Sequence, residues 1–340
     1  MNSTRRMAIK LTRVMGGPLL NRYWGRRLTV VCYHRVGPLQ RDDRLYRANL
    51  SATPAMFAQQ LDFLAQYFHI IDLEALQHAM WTGNPLPPRA ALITFDDGYI
   101  DTYTVAFPLL RARNAPAVVF VVPDFIDQQR LPWWDVCSEA VHRTAKTCAE
   151  VPGLGLVDLT TDCQRAGVCD ALVQRLKRLE KPAQTEMLRA IQAALEVDVG
   201  ERAAPVFMSW DHLRELTGHR IACQSHTQSH AILSQIAPEA ALCELVSSRQ
   251  RIEAETQLPV TAVAYPSGTP IDYSAQTIDF SRTAGYHVAF TTSPGPMRYT
   301  RIQHDQFAIN RICLSHQDTF DTFVLKIMGL PKIKQCFDHA

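Results

Sequence analysis

Residues 90–99 read AALITFDDGY, an apolar run that ends in two adjacent aspartates and a glycine. A short apolar run between chain-breaking residues is typical of a buried strand. The proline-rich stretch 85–88 breaks the chain before this run, and Gly98 permits a sharp turn after it. We therefore predict a strand over 90–95 whose carboxyl end carries Asp96 and Asp97.

Similar strands and intervening helices extend in both directions from this one. Strands are predicted over 28–34, 70–73, 117–122, 220–224, 260–264 and 287–291. Helical spacing of apolar residues predicts helices beginning near 53 and over 74–82, 101–113, 209–216, 238–256, 274–284 and 319–329. Such alternation implies a parallel sheet or barrel, with the chemistry at the carboxyl ends of its strands.

The stretch 124–205 interrupts this rhythm. It holds Trp133, Trp134 and four of the nine cysteines, and helices are predicted near 170–182 and 184–196. We interpret it as a mostly helical insertion over the barrel mouth. The predicted organisation is an arm over 1–27, a barrel domain over 28–330 and a tail over 331–340.

Composition excludes several classes of function. A formal charge of +2 favours no polyanionic partner, and the body of the chain lacks the basic stripe with interleaved aromatics that nucleic acid binding calls for. The cysteines form no CxxC motif, which indicates reduced thiols in a cytoplasmic protein. No stretch approaches the ~18 apolar residues of a membrane-spanning helix.

The arm has a different character from the rest of the chain. Residues 5–27 interleave seven Arg and Lys residues with apolar ones, and no uninterrupted apolar core of a secretory signal is present. This mixture suits either a helix lying on an anionic membrane surface or a helix packed on the domain. The expected location is the cytoplasm, at the inner face of the membrane in the first case.

Two polar clusters follow predicted strands. Asp96 and Asp97 would repel each other, and a divalent cation relieves this by binding one carboxylate and leaving the other as a base; the alternative is a merely solvated loop. His226 and His230 have the spacing that points two imidazoles the same way on a helical turn. Two histidines and one carboxylate leave positions open for water and a substrate oxygen, as a hydrolytic metal site requires.

With these motifs the sequence resembles the polysaccharide deacetylase (NodB-like) family, carbohydrate esterase family 4. The resemblance rests on Thr94 to Gly98, on Ser225 to His230 and on Ala264 to Gly268, which looks like the AYPxG form of a third motif. It covers roughly 28–325 and is weakest in the insertion. It implies an α/β fold, a distorted (β/α)7–8 barrel with a helical insertion, and hydrolysis of the N-acetyl group of an amino sugar.

The resemblance also implies roles for individual residues. Asp96 would be the general base, and Asp97, His226 and His230 would hold the metal, usually Zn²⁺, with Co²⁺ or another divalent ion as substitutes. The backbone N–H of Ser267 would stabilise the oxyanion. Other members carry an arginine in the third motif that orients the base. Ala264 stands in that place here, so Arg311 is the candidate for orienting the base. The alternative is that Arg311 forms a surface salt bridge.

Four aromatic residues are candidates for contact with substrate. Trp133 and Trp134 stand where the family often places an apolar wall beside the acetyl methyl group, although tryptophans in such a segment also serve simple packing. Tyr99, next to the aspartates, and Tyr265, in the third motif, are further candidates for the groove. Tyr99 is equally well explained as packing on its neighbours.

The general acid has two candidates. The family commonly places a histidine in a C-terminal Leu-x-His motif, and His316 is the best match there. His34 ends the first predicted strand, and this order resembles the circularly permuted type of biofilm poly-N-acetylglucosamine deacetylases, in which the acid comes first. We favour His34, with a strand-capping role as its alternative.

Other functions remain open at this stage. O-deacetylation of a sugar would need the same metal and base, and a catalytically silent carbohydrate-binding module could share the barrel. The expected partner is an N-acetylated sugar, either an oligosaccharide or a lipid-linked or nucleotide-linked precursor, rather than a nucleic acid.

Overall fold

The computed structural model describes residues 24–39, 44–200 and 205–329. Its strands are β1 Arg27–Tyr33, β2 Arg35–Val36, β3 Leu50–Ala52, β4 His69–Ile70, β5 Ala90–Phe95, β6 Ala117–Val121, β7 Cys148–Val151, β8 Gly155–Asp158, β9 Ile221–Ser225, β10 Ala262–Ala264, β11 Val288–Phe290, β12 Met297–Arg298 and β13 Ile312–Cys313. Its α-helices are α1 Pro54–Tyr67, α2 Leu73–Thr82, α3 Phe107–Arg111, α4 Pro123–Gln128, α5 Trp133–Arg143, α6 Asp162–Leu176, α7 Lys181–Ala194, α8 Trp210–Thr217, α9 Pro238–Thr256, α10 Ala275–Thr283, α11 Tyr299–His304 and α12 Phe320–Ile327.

The main sheet is built from parallel strands in the order β11-β10-β9-β6-β5-β1. Three further strands attach to it: β4 pairs with β5 and β13 with β1 in parallel, and β12 pairs with β1 antiparallel. The longest pairing runs from Leu28↔Ala90 to Tyr33↔Phe95. The strand predicted over 90–95 therefore lies beside the first strand of the chain.

Residues 309–313 connect the two edges of this curled sheet. Ile309 bridges to Phe290 at one edge, and Ile312 pairs with Val31 at the other. The backbone hydrogen bonds of this segment include one from the Thr291 N–H to the Ile309 carbonyl, at 2.8 Å. The sheet is thereby curled into a distorted barrel, which confirms the predicted α/β class and barrel architecture.

Side chains alternate between the barrel interior and its outer surface. Val30, Leu92 and Phe290 belong to one buried cluster inside the barrel, whereas Val31 and Ile93 belong to another that also includes helical residues of α1. Successive residues of a strand point to opposite faces. The next interior positions toward the carboxyl ends are therefore 32, in β1, and 34, directly after it. On the neighbouring strand they are 94, in β5, and 96, directly after it.

The region over 124–205 has a core of its own. Helices α5, α6 and α7 contribute Val141, Leu172 and Ile191 to a cluster separate from the barrel interior. The helices agree with the predicted helical character of the segment, but the antiparallel hairpin of β7 and β8 was not predicted. The π-helical turn Thr102–Ala106 before α3 is also a departure from the regular helix expected over 101–113.

Two predicted segments lie mostly outside the described residues. Of the arm over 1–27, the structure describes only 24–27, where Trp24 is buried. The tail over 331–340 is outside entirely. Across the described parts of the chain, no helix has both the length and the apolar character needed to span a bilayer.

Candidate active site

The polar residues singled out from the sequence follow the carboxyl ends of parallel strands. They are His34 after β1, Asp96 and Asp97 after β5, His226 and His230 after β9, and Ser267 after β10. Asp96 N–H still bonds to the Tyr33 carbonyl and His226 N–H to the Val121 carbonyl, each at 2.9 Å, so both residues extend the strand ladder. The ladder fixes their backbones at the barrel mouth.

Asp97, His226 and His230 converge. Asp97 Oδ1 lies 3.6 Å from His226 Nε2 and 3.4 Å from His230 Nε2. All three ligand atoms fall within 4.8 Å of one another. Two imidazoles and one carboxylate at such separations are a donor set suited to Zn²⁺ with a position left open.

The surroundings of the triad fit a bound cation. Asp97 Oδ1 is buried and has no hydrogen-bond partner. Burial and the neighbouring Asp96 charge raise the pKa of Asp97 well above its usual range. Because a divalent cation would supply the missing positive charge and a partner for Oδ1, it would make the ionised form of Asp97 favourable.

The His226 ring is oriented for ligation. Its Nδ1 lies 2.7 Å from the Ala264 carbonyl, to which it donates as N–H, leaving the Nε2 lone pair free toward Asp97. Burial lowers the pKa of His226 to about 4. The imidazole is therefore neutral near pH 7, which is the form that binds metal.

The two histidines do not lie on a helical turn, and that part of the sequence prediction is wrong. Residues 226–232 form a loop in which Thr227 and His230 have positive φ angles of 65° and 61°. Helix α9 anchors this loop, because Glu244 accepts hydrogen bonds from the Ser229 N–H at 2.8 Å and from its hydroxyl at 2.6 Å. The rings converge through this loop geometry instead of helical spacing.

Asp96 is held by Arg311. The guanidinium makes a two-pronged ion pair, with Nη1 to Oδ1 at 2.7 Å and Nη2 to Oδ2 at 2.8 Å. Arg311 is fully buried, donates from Nε to the Thr291 carbonyl at 3.0 Å, and lies over the Phe120 ring. Burial alone would favour the neutral carboxyl, but the attraction of Arg311 holds the pKa of Asp96 below its usual range. The structure thus places Arg311 on Asp96, in a buried ion pair and not in a surface salt bridge.

The two candidate acids are in different places. His34 is half-buried and lines the cavity that also contains Asp96 and His226. Burial lowers its pKa, which the nearby Asp96 opposes. His316 instead has its Nδ1 3.1 Å from the Leu50 carbonyl and is not part of the cavity wall. Only His34 of these two histidines faces the predicted metal centre.

The cavity has a volume of about 730 Å³ and lies between the barrel mouth and the helical segment. Trp133, Trp134 and Ser267 are in its wall. Trp134 is nearly buried, with its ring 4.8 Å from that of His230, whereas Trp133 is partly exposed. Both tryptophans are therefore where contact with a substrate is sterically available.

The side chains of the two candidate tyrosines are buried and less accessible from the cavity than Trp133. Tyr99 is buried behind the cavity wall, where its hydroxyl donates to Asp135 at 2.7 Å and accepts from Trp134 Nε1 at 2.9 Å. Tyr99 is not part of the cavity wall, and these contacts fit the packing alternative. Tyr265 borders the cavity, but its side chain is fully buried, with its hydroxyl 3.3 Å from Ser281.

Two cysteines near Asp96 were not predicted as site residues. Cys32 Sγ lies 3.5 Å from Asp96 Oδ2, and Cys313 lines the cavity. The signal was present for Cys32, since it stands two residues before His34 and therefore points to the same face of the strand. No sequence pattern pairs it with residue 313.

The comparisons with known proteins agree with this architecture. Residues 83–289 match the family model described as polysaccharide deacetylase. The poly-beta-1,6-N-acetyl-D-glucosamine N-deacetylase of Escherichia coli (strain K12) is 32% identical over 97 residues, which are 28% of this chain and 14% of that protein. The chain therefore matches only a small part of that relative's length.

Two solved structures have a similar fold. The Streptococcus pyogenes deacetylase PplD, in complex with acetate, superposes with a TM-score of 0.60 at 17% identity, covering 88% of this chain and 98% of that one. IcaB from Ammonifex degensii gives a TM-score of 0.55 at 18% identity, covering 86% and 93%. At these identities the likeness concerns the fold alone.

Proposed function

The chain belongs to the polysaccharide deacetylase family, and on this premise we propose that it is a metal-dependent hydrolase that removes the N-acetyl group from an amino sugar in a glycan or glycolipid precursor. The observation that carries the proposal is the convergence of Asp97, His226 and His230 beside a second carboxylate that is already ion-paired. A carbohydrate-binding module would need no such buried base. This argues against the silent-module alternative.

Asp97, His226 and His230 would hold the metal. When bound, an ion such as Zn²⁺ polarises the carbonyl oxygen and makes water more acidic at neutral pH. The neutral state of His226 and the unpartnered Asp97 oxygen support this assignment.

Asp96 would act as the general base that takes a proton from the attacking water. A carboxylate can do this while paired, because its two oxygens offer about four acceptor sites and Arg311 uses two of them. Arg311 keeps Asp96 ionised and fixes its plane. It is therefore a positioning residue for the base.

His34 would donate the proton that the departing nitrogen needs. An amine leaves the tetrahedral intermediate only when protonated, and a histidine titrates in a suitable range. The Ser267 N–H would stabilise the oxyanion, and Trp133 and Trp134 would form the apolar wall around the acetyl methyl group. An O-acetyl ester has a better leaving group and needs little help from an acid. The position of His34 in the cavity thus favours the N-acetyl reading over the O-acetyl alternative.

The test combines metal content with acetate release from matched N- and O-acetylated amino sugars. Asp97→Ala and His226→Ala should lose the metal and the activity, whereas Asp96→Asn should keep the metal and lose activity. Asp279→Asn, which removes an exposed carboxylate paired with Arg282, is the matched control and should behave as wild type. Full acetate release by metal-free protein would refute the metal role, and release from O-acetyl sugars alone would assign the ester activity instead.

A further inference from the structure

Cys32 and Cys313 lie side by side on adjacent strands, and Cys313 lines the cavity. They are Cα register partners in the adjacent parallel strands β1 and β13. Neighbouring strands lie ~4.8 Å apart, and a disulfide bridges Cα atoms ~4.4–6.8 Å apart. The backbone therefore already holds the two residues at a separation that a disulfide can span.

The pair is in contact with the base and reachable through the cavity. Cys32 is fully buried, with its Sγ 3.5 Å from Asp96 Oδ2. Cys313 is only half-buried and is part of the cavity wall. A small oxidant that enters the cavity thus meets Cys313 first, with Cys32 behind it as a second thiol.

The electrostatic surroundings favour reaction at Cys313. The adjacent Cys32 thiol lowers the pKa of Cys313, and the Arg311 guanidinium acts in the same direction against burial. The same contact, together with burial, raises the pKa of Cys32. Because the thiolate is the reactive form, Cys313, the more accessible member of the pair, is also the more nucleophilic one.

We propose that Cys32 and Cys313 are a redox-sensitive pair that a hydroperoxide oxidises to a disulfide, slowing the deacetylase. The Cys313 thiolate attacks the O–O bond of hydrogen peroxide, giving a sulfenic acid and a hydroxide that leaves as water. The Cys32 thiol then displaces the sulfenic hydroxyl, forming the S–S bond and a second water. Two thiols and one peroxide thus become one disulfide and two waters, and a dithiol reductant reverses the change.

Disulfide formation would disturb the base directly. Oxidation removes the Cys32 S–H that lies against Asp96 Oδ2 and draws β1 and β13 together. Strand β1 also pairs with β5, which precedes Asp96, and β13 directly follows Arg311, so this shift would disturb the ion pair. Misplacement of a catalytic group by ~1 Å can lower the rate by about 10²-fold. The inference about turnover rests on the proposed function, but the inference about disulfide formation does not.

The chain offers matched controls. Cys137 and Cys169 are also neighbouring thiols, since Cys169 raises the pKa of Cys137, but both are buried in the helical segment away from the cavity wall. Cys243 is exposed on α9. Cys243 thus tests exposure to the oxidant on its own, and the Cys137–Cys169 pair tests the proximity of two thiols that the oxidant cannot reach through the cavity.

The experiment treats the full chain with hydrogen peroxide, followed by digestion without reductant, mass spectrometry and an acetate-release assay. We expect a cross-linked peptide pair containing Cys32 and Cys313, and a loss of turnover of up to about 10²-fold that dithiothreitol restores. Cys313→Ser should abolish the reversible loss, whereas Cys243→Ser should retain it.

Three results would overturn the proposal: oxidation of Cys243 with no Cys32–Cys313 cross-link, a cross-link without loss of turnover, or an unchanged reversible loss in Cys313→Ser. If the chain releases acetate from no sugar tested, the proposed function fails. The cross-link in the wild-type chain still decides the existence of the pair, even where Cys313→Ser does not fold.

Discussion

Arg311 supplies from the end of the barrel the positive charge that Ala264 cannot supply in the third motif. Its guanidinium is completely buried, and so is its partner Asp96. A buried ion pair contributes little net stability compared with apolar residues, but removing one member leaves the other charge without compensation. The pair therefore supports the proposal that Asp96 serves as an ionised, oriented base.

Replacing Arg311 should expose this dependence. We expect Arg311→Met to lower the free energy of unfolding by about 3–5 kcal/mol, because Asp96 is left buried and unpaired. Adding Asp96→Asn to the same chain should recover part of the loss, since the uncompensated charge is removed. Urea unfolding of the single and double variants measures this coupling. Equal stabilities for the two would contradict it.

Arg311→Lys separates charge from geometry. Lysine keeps the positive charge but cannot bind both carboxylate oxygens in the forked manner of arginine. We expect kcat to fall while metal content stays unchanged, with Arg311→Lys retaining more activity than Arg311→Met.

Substitution of the two candidate acids distinguishes His34 from His316. His34→Ala should retain metal and lower turnover on an N-acetyl sugar by about 10²–10⁴-fold, the usual contribution of a positioned acid. His316→Ala should change turnover little, because that ring lies against the Leu50 carbonyl, outside the cavity wall. The reverse pattern in steady-state acetate release would assign the acid to His316.

The positions of individual side chains could be predicted from the sequence where a regular strand determines the face to which each side chain points. Asp96 follows a strand whose register is unambiguous, so its position at the barrel mouth could be anticipated. Tyr99 could not be placed in the same way, because Asp97 and Gly98 both have positive φ, at 69° and 82°, and redirect the chain before it. The contact of Arg311 with Asp96 was expected from the family resemblance, since local sequence does not report a contact spanning 215 positions.

Among the elements, the joint between β9 and β10 positions His226, one of the proposed metal ligands. These strands share only one register pair, Val263↔Ser225. The Gln224 side chain supplements it, because its Oε1 accepts from the N–H groups of Thr261 and Ala262, each at 2.8 Å. This joint also sets the distance from His226 to the Ala264 carbonyl.

Loss of the Gln224 amide should therefore loosen the metal site. We expect Gln224→Leu to reduce the free energy of unfolding by about 2–4 kcal/mol, since buried N–H groups lose their acceptor. Metal affinity should fall by about 10–100-fold through the disturbed His226 contact. Unfolding and metal titration measure the two effects.

Gln77→Leu is the matched control for this joint. Gln77 is only half-buried and touches the Thr261 hydroxyl at 2.8 Å, so it binds the same segment without a role in the strand joint. It should change metal affinity little. A similar loss of affinity in both variants would remove the special role of Gln224.

Element prediction succeeded for long or strongly apolar segments. The strand at 90–95 and the helix at 238–256 have the bounds expected from the sequence. The hairpin was missed because Cys148–Val151 buries only alternate residues and its partner Gly155–Asp158 buries none, so the apolar signal is weak. The loop carrying His226 and His230 was mistaken for a helical turn because side-chain spacing alone does not reveal positive φ.

On the scale of the whole molecule, the two ends of the barrel differ in chemistry. The carboxyl ends of the strands carry the predicted metal centre. The opposite end has a second cavity of about 1020 Å³, whose wall includes Arg26, Arg27 and Arg298. Trp81, adjacent to this wall in sequence, is 90% exposed. An arm that docks this end on an anionic bilayer would leave the catalytic mouth facing water.

We propose that the basic arm over 5–27 attaches the protein to anionic membrane surfaces in this orientation. Each Arg or Lys near such a surface contributes about 1 kcal/mol, and salt weakens the attraction by screening. The full chain should co-sediment with vesicles containing phosphatidylserine at low ionic strength and be released as salt is raised.

Removing residues 1–23 should abolish sedimentation but leave acetate release from a soluble sugar unchanged, because the arm joins the barrel at the end opposite the metal centre. Arg298→Glu in the full chain should weaken binding if the barrel end itself faces the bilayer. Undiminished binding by the truncated protein would show that the arm only packs on the domain.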